Sequence, residues 1–128
     1  MRGPNDILRG ATILVAEDDA VLAWDYQAAI EECGAHVVGP FSTGREAIEA
    51  LHRPIGAALV DHVLSDGPSN TLQAELQARE IPFVVLTGYP RVLVKNEDVS
   101  ATILNKPIAA SDLCRALTDI CSMRLEKR

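Results

Sequence analysis

Five short runs of mostly apolar, β-favouring residues recur along the chain, and four of them end at a side chain that can take part in chemistry. The runs are residues 13–16, 36–39, 57–60, 83–86 and 102–105. Apolar runs of this length are typical of strands buried on both faces of a parallel sheet. We expect Pro40 to end the second run. Because the carboxyl ends of parallel strands meet at one edge, the side chains that follow the runs should converge on one crevice.

Amphipathic stretches between these runs predict helices at residues 20–33, 43–51, 70–79 and 111–124. Asp19 can cap the first helix, which should stop at Gly34. Thr43 followed three residues later by Glu46 is a capping box that opens the second helix. Residues 91–100 have no clean period, so any helix there should be short or mobile. The alternation of strand and helix predicts a doubly wound α/β domain around a five-stranded parallel sheet.

Length and composition fit one domain of ordinary size. With 128 residues, 48% of them hydrophobic, the chain can bury a core but has no room for a second, output domain. We expect a loose polar tail at residues 1–10 and a single domain at residues 11–128. A net charge of -6 argues against binding to nucleic acid or an anionic membrane, because both are negative. Neither a signal peptide nor a run of roughly eighteen apolar residues is present, so we expect a cytoplasmic protein.

The cysteines and the single tryptophan leave alternatives open. Cys33, Cys114 and Cys121 are odd in number and have no metal-ligand or redox spacing, so we expect reduced, buried thiols. Trp24 lies off the apolar stripe of the first helix, so it is either partly exposed or covers a neighbouring helix. A packing role is the more common of the two, whereas an exposed Trp would mark a partner contact.

The residues that follow four of the strands resemble those of the receiver domain of bacterial two-component response regulators. They are Glu17-Asp18 after the first strand, Asp61 after the third, Thr87 after the fourth and Lys106-Pro107 after the fifth. One acid at a strand end is common, but this set at the ends of four strands is specific. The resemblance covers about residues 12–123 and implies a flavodoxin-like sandwich with strand order 2-1-3-4-5.

A second motif is similar to that of a subgroup of this family. Residues 82–89, Pro-Phe-Val-Val-Leu-Thr-Gly-Tyr, resemble the Pro-Phe-x-Phe-Ala-Thr-Gly-Tyr signature of certain stand-alone receivers, although Val85 and Leu86 replace Phe and Ala. Such receivers are typically phosphorylated by histidine kinases of the HWE and related types. The resemblance therefore implies a single-domain response regulator whose partner is a histidine kinase or a phosphotransfer protein. We expect a monomer or a weak dimer.

The resemblance also implies the chemistry of the site. Asp61 would attack the phosphohistidine of a kinase and carry the phosphoryl group as an aspartyl phosphate. Because both reactants are negative, a divalent cation is needed, and the family uses Mg²⁺. The carboxylates of Glu17, Asp18 and Asp61 and the carbonyl of Val63 would bind it, since Mg²⁺ prefers oxygen ligands.

Lys106 and Thr87 are expected to contact the phosphoryl oxygens, where charge collects in a loose transition state. Thr87 would also be the switch, drawn inward when Asp61 is phosphorylated. In many receivers an aromatic residue three positions before the lysine then also turns inward. In this chain that position is occupied by Ile103. We expect Tyr89 to take over that role, with a rearrangement of residues 91–100 as the result.

Other interpretations of the same residues remain open. The acids around residue 17 could simply cap a helix, Asp61 could be a turn acid, and Thr87 and Lys106 could be ordinary surface groups. An alternative from another class is a Mg²⁺-dependent phosphatase with Asp61 as nucleophile. That enzyme would need a general acid near Asp61, but Val63 occupies the position two residues beyond it. A flavodoxin-like cofactor binder would need a phosphate-binding loop, and none is evident in the sequence.

Overall fold

The computed structural model describes residues 7–88 and 102–126. Within these ranges the strands are β1 (Thr12–Ala16), β2 (His36–Phe41), β3 (Ala57–Asp61), β4 (Val63–Leu64), β5 (Gly67–Pro68), β6 (Phe83–Thr87) and β7 (Thr102–Asn105). The helices are α1 (Ala20–Glu32), α2 (Gly44–Glu49), α3 (Asn70–Ala78) and α4 (Ala110–Glu126), and a 3₁₀ turn at Ala50–His52 follows α2. None of the helices in these ranges is long and apolar enough to cross a membrane.

Five strands form one parallel sheet in the order β2-β1-β3-β6-β7. Counted within this sheet alone, the order is 2-1-3-4-5, so the predicted flavodoxin-like fold is confirmed. The two remaining strands, β4 and β5, pair antiparallel as a small hairpin directly after β3. The sequence did not predict this hairpin, because strands of two residues are too short to show a period.

Successive residues of β1 place their side chains on opposite faces of the sheet. Leu14 and Ala16 belong to a core cluster that includes residues of α2 and α3. Ile13 and Val15 belong to a second cluster that includes residues of α1 and α4. All four side chains are at most 1% exposed. Both faces of the sheet are therefore covered by helices, which explains why β3 and β6 are apolar up to their polar last residues.

β2 runs on to Phe41, whereas the sequence predicted that Pro40 would end it. β2 is an edge strand of the main sheet, where a proline without an N–H is tolerated. Its pairing with β1 shifts between Leu14 and Ala16, and Ala16 pairs with Phe41. The carbonyl of Phe41 then accepts the N–H of Glu17 at 2.9 Å. The extra length of β2 thus supports the start of the acidic segment.

Residues 7–10 pack against the domain, which corrects the prediction of a loose tail over this part of it. Leu8 is 1% exposed and lies in the core cluster on the α1 and α4 face of the sheet. The N–H of Gly10 donates to the carbonyl of Gly34 at 2.8 Å. Both glycines have a positive φ, 79° for Gly10 and 89° for Gly34, and residues other than glycine adopt such a φ only with strain. A single buried leucine in a polar stretch is a weak signal in a sequence.

The tryptophan and two of the cysteines also differ from the prediction. Trp24 is 76% exposed on α1, so the packing role is wrong and the alternative of an exposed side chain holds. Cys33 and Cys114 form a disulfide instead of the reduced thiols that we expected. The end of α1 and the start of α4 pack on the same face of the sheet, which brings the two sulfur atoms together.

Candidate functional site

The carboxyl ends of β1, β3, β6 and β7 lie at one edge of the sheet and bring four polar side chains together. Glu17 follows β1, whereas Asp61 and Thr87 are the last residues of β3 and β6. These three residues are 3%, 1% and 1% exposed, respectively. Lys106 follows β7, and its N–H donates to the carbonyl of Thr87 at 2.8 Å. The structure thus gathers at one place the residues that the sequence puts at the strand ends.

Lys106 forms ion pairs with two buried carboxylates. Its Nζ atom lies 2.8 Å from Asp61 Oδ1 and 3.1 Å from Glu17 Oε1. Burial alone would lower the pKa of Lys106, but the pairing with Asp61 and with Glu17 outweighs it and raises that pKa. The ammonium therefore stays charged at neutral pH, and it lies within 3.1 Å of the acid groups of both Asp61 and Glu17.

Three acids form a group that can hold a cation. Glu17, Asp18 and Asp61 each offer a carboxylate oxygen, and these oxygens lie within 4.8 Å of one another. Asp61 Oδ2 is buried and has no hydrogen-bond partner among the described residues. Burial raises the pKa of Asp61 to about 8, the neighbouring Glu17 adds to the rise, and Lys106 opposes it. A divalent cation would reduce the electrostatic repulsion among these three carboxylates. Carboxylate oxygens are ligands that Mg²⁺ prefers, so the residues fit a Mg²⁺ site.

Asp19, rather than Glu17 or Asp18, caps α1. Its Oδ1 atom accepts the N–H groups of Val21 at 2.9 Å and Leu22 at 3.0 Å. Glu17 Oε2 instead accepts the N–H of Asp19 at 3.0 Å, outside the helix. Since Asp19 fills the capping position, the alternative that all three acids only cap a helix is wrong.

The segment between β3 and α3 is fixed at its tip by contacts that the sequence did not predict. The Asp66 carboxylate accepts the N–H groups of Gly44 at 2.9 Å and Arg45 at 3.2 Å, at the start of α2. Leu64, in the same hairpin, is 3% exposed and belongs to the core. Val63, whose carbonyl we predict to bind the metal, is the first residue of that hairpin. The position of Val63 is therefore set by the contacts of its neighbours.

The base of this segment is held by a second set of contacts. Ser69 Oγ lies 2.5 Å from the carbonyl oxygen of Asp61 and 3.0 Å from that of His62. Gln73 Nε2 donates to Ser69 Oγ at 3.0 Å. Both side chains are buried, 2% exposed for Ser69 and 6% for Gln73. The signal that could have revealed them is Gln73 itself, because it is a polar residue on the apolar face of a predicted helix.

The predicted switch residues are described only in part. Thr87 is buried at the end of β6. Ile103 lies half-buried on β7, pairs in register with Val85 and packs against the core on the α2 and α3 face. Tyr89 and the segment at residues 91–100 lie outside the described residues. The switch itself therefore stays a prediction.

Two curated relatives align with most of the chain, whereas no protein-family model matches it. The phyllosphere-induced regulator PhyR of Methylorubrum extorquens is 30% identical over 112 residues, which cover 83% of this chain and 42% of the relative. The transcriptional regulatory protein PdtaR of Mycobacterium tuberculosis is 31% identical over 111 residues, which cover 82% of this chain and 54% of the relative. The chain thus spans about half the length of the curated relatives that it matches.

A solved structure matches over nearly its whole length. The crystal structure of a response regulator receiver protein from Sinorhizobium medicae superposes with a TM-score of 0.82 at 25% identity. The superposition covers 91% of this chain and 98% of that chain. The similarity therefore extends across the sheet and its helices, and is not confined to the segment that holds the acids.

Proposed function

Since this chain is a receiver domain of two-component response regulators, we propose that it accepts a phosphoryl group from a histidine kinase on Asp61 and signals through the change that follows. One observation carries the proposal. The Asp61 carboxylate is buried at a strand end, 2.8 Å from Lys106 Nζ and grouped with the carboxylates of Glu17 and Asp18. This arrangement supplies a nucleophile, a fixed positive charge and metal ligands at one point.

In the transfer, a carboxylate oxygen of Asp61 forms a bond to phosphorus while the bond from phosphorus to the donor's imidazole nitrogen breaks. The imidazole leaves with the electron pair and is then protonated by water. Both partners are negative, so Mg²⁺ bound by Glu17, Asp18, Asp61 and the Val63 carbonyl would neutralise part of their charge. The chain's own contribution is to hold the acceptor oxygen at a fixed position in a water-poor crevice.

Lys106 and Thr87 would hold the transferred group. Lys106 Nζ already lies at Asp61 Oδ1, so a short movement takes it from that oxygen to a phosphoryl oxygen. The Thr87 hydroxyl would donate to the same group, and its inward movement is the switch that we propose. Ile103 and Tyr89 are the residues through which we expect the movement to reach residues 91–100.

The wider setting is also part of the proposal. We place the phosphoacceptor in the cytoplasm as a single domain, monomeric or weakly dimeric, without nucleic-acid or membrane binding. A kinase of the HWE type, or a phosphotransfer protein, would be the donor, and the support for it is the motif at residues 82–89.

Intact mass spectrometry after incubation with acetyl phosphate tests the function. The wild-type chain should gain one phosphoryl group with Mg²⁺, and neither Asp61→Ala nor a chelated sample should gain any. A phosphoryl group that persists in Asp61→Ala would contradict the assignment. Release of phosphate over many cycles from an unrelated phosphoester would favour the Mg²⁺-dependent phosphatase, since a phosphoacceptor turns over only its own aspartyl phosphate.

A further inference from the structure

Ser69 occupies the position of a helix cap but does not act as one. It stands directly before α3, where a serine side chain usually accepts an N–H of the first turn. Its hydroxyl makes no such bond to α3. It lies instead 2.5 Å from the carbonyl oxygen of Asp61 and 3.0 Å from that of His62. The Ser69 side chain therefore hydrogen-bonds to the end of the strand that carries the phosphoacceptor, and leaves the N-terminus of α3 without a side-chain cap.

Gln73 donates to the Ser69 hydroxyl, which in turn donates to the backbone of Asp61 and His62. A serine hydroxyl has one proton to donate and lone pairs that accept. The two carbonyl oxygens can only accept, so the Ser69 proton must point at them. Gln73 Nε2 donates to Ser69 Oγ from the other side at 3.0 Å, and Ser69 and Gln73 are 2% and 6% exposed. Water therefore does not compete with this chain of hydrogen bonds, which strengthens it.

The backbone of Asp61 and His62 is held from both sides as a result. The His62 N–H donates to the carbonyl of Leu86 on β6 at 2.7 Å. The His62 carbonyl also accepts the backbone N–H of Ser69 at 2.9 Å. The next residue is Val63, whose carbonyl is the predicted fourth metal ligand. A movement of this peptide would displace the phosphoacceptor carboxylate and that carbonyl together.

We propose that Ser69 and Gln73 form a buried positioning pair that fixes the Asp61 peptide for metal binding and phosphoryl transfer. The inference rests on the proposed phosphoacceptor function. Neither residue touches the reacting atoms, because the pair acts through the main chain of Asp61 and His62. Phosphoryl transfer depends mainly on positioning and electrostatics, so a small displacement of the acceptor oxygen should slow it strongly.

The test compares Ser69→Ala and Gln73→Met with the control Thr118→Ala. Met keeps the length of Gln73 but cannot donate a hydrogen bond. Thr118→Ala removes a hydroxyl that donates to the carbonyl of Cys114 at 2.7 Å within α4. Calorimetry gives the Mg²⁺ dissociation constant, and mass spectrometry gives the rate of phosphorylation by acetyl phosphate at saturating Mg²⁺.

Both site variants should weaken Mg²⁺ binding and slow phosphorylation by roughly 10- to 100-fold. The double variant should be no worse than the stronger single variant, because the two residues act as one unit. Thermal unfolding checks that each variant is folded, and Gln73→Met carries the test alone if Ser69→Ala does not fold. Thr118→Ala should leave both quantities unchanged.

Values within twofold of wild type in Ser69→Ala and Gln73→Met would overturn the positioning role and leave the phosphoacceptor function intact. Equal losses in Thr118→Ala would also overturn it, because the effect would then be one of general stability. A wild-type chain that neither binds Mg²⁺ nor is phosphorylated on Asp61 would overturn the proposed function, and the inference with it.

Discussion

Lys106 Nζ lies 2.8 Å from Asp61 Oδ1, and this ion pair joins the ends of β7 and β3 across β6, which lies between them in the sheet. The lysine does not fully compensate the acid. The pKa of Asp61 is raised from 3.8 to about 8, because burial and the nearby Glu17 outweigh the positive charge. Without a metal, ionisation of Asp61 would leave an excess of buried negative charge, so the folded chain keeps a proton on this carboxyl group near neutral pH. Two predictions follow.

The first concerns pH and Asp61→Asn. The folded chain keeps a proton on Asp61 between pH 3.8 and about 8, whereas the unfolded chain releases it. The folded state binds more protons in this window, so its free energy of unfolding must fall as the pH rises. In a chelating buffer, Asp61→Asn should be more stable than wild type at pH 8, by about 1 kcal/mol or more, and the difference should shrink toward pH 5.

Urea unfolding at several pH values measures this difference. Asp25→Asn is the matched control, because it neutralises an exposed acid on α1 outside the crevice. It should change the free energy of unfolding little. Wild type and Asp61→Asn with parallel stability curves would show that the carboxyl group is not the source of the pH dependence.

The second concerns Mg²⁺ and the acids of the cluster. A cation that binds only the folded state should stabilise the wild type by about 1.4 kcal/mol at a concentration ten times its dissociation constant. Asp18→Asn should lose most of this gain, because Asp18 supplies one of the grouped carboxylate oxygens. Asp19→Asn should keep it, since asparagine can still cap α1. Thermal unfolding with Mg²⁺ or with chelator checks the prediction, and equal losses in the two variants would exclude the assigned ligand set.

The sequence allowed the sheet and the gathering of acids to be predicted, because both depend on short-range pattern. Apolar runs define buried strands, and parallel strands must bring their carboxyl ends to one edge. Asp61, Thr87 and Lys106 could thus be grouped without any knowledge of distances. The pairing of β4 and β5 could not be predicted from the sequence, because strands of two residues show no period and depend on the residues they pack against.

The supporting contacts were missed for a related reason. Ser69 is an ordinary N-cap residue in sequence terms, and only the folded backbone shows that its hydroxyl points at Asp61. Asp66 is an ordinary turn acid until α2 is placed beside it. Leu8 and the Cys33–Cys114 pair are likewise defined by contacts between distant parts of the chain. The roles of such side chains depend on tertiary contacts. Local propensity and residue spacing carry no information about those contacts.

A third prediction follows from the contact between Asp66 and α2. The hydrogen bond from the Gly44 N–H holds the pKa of Asp66 below its ordinary value. A lowered pKa in the folded state contributes stability at neutral pH, and that contribution is lost as the pH falls through the folded-state pKa. Asp66→Ala should therefore be less stable than wild type at pH 7, and the two should converge in acid. Asp66→Asn, which keeps one acceptor oxygen, should lie between them in urea unfolding, and a gap that persists in acid would contradict this account.

The last prediction concerns Trp24 and the phosphoryl donor. Trp24 and Val21 are 76% and 72% exposed and lie one helical turn apart on α1, beside the acidic segment that opens the crevice. Asp61 is 1% exposed, so a protein donor must lie against the rim of the crevice to reach it, whereas acetyl phosphate need not.

Trp24→Ala should slow phosphorylation by a histidine kinase at least about tenfold, since an interfacial Trp is often worth about 2 kcal/mol or more of binding free energy. The rate with acetyl phosphate and the unfolding free energy should both stay close to wild type, because a surface substitution usually changes stability by less than about 0.5 kcal/mol. Phosphorylation that slows equally with both donors would place the effect of Trp24 in the site itself, and not in a partner contact.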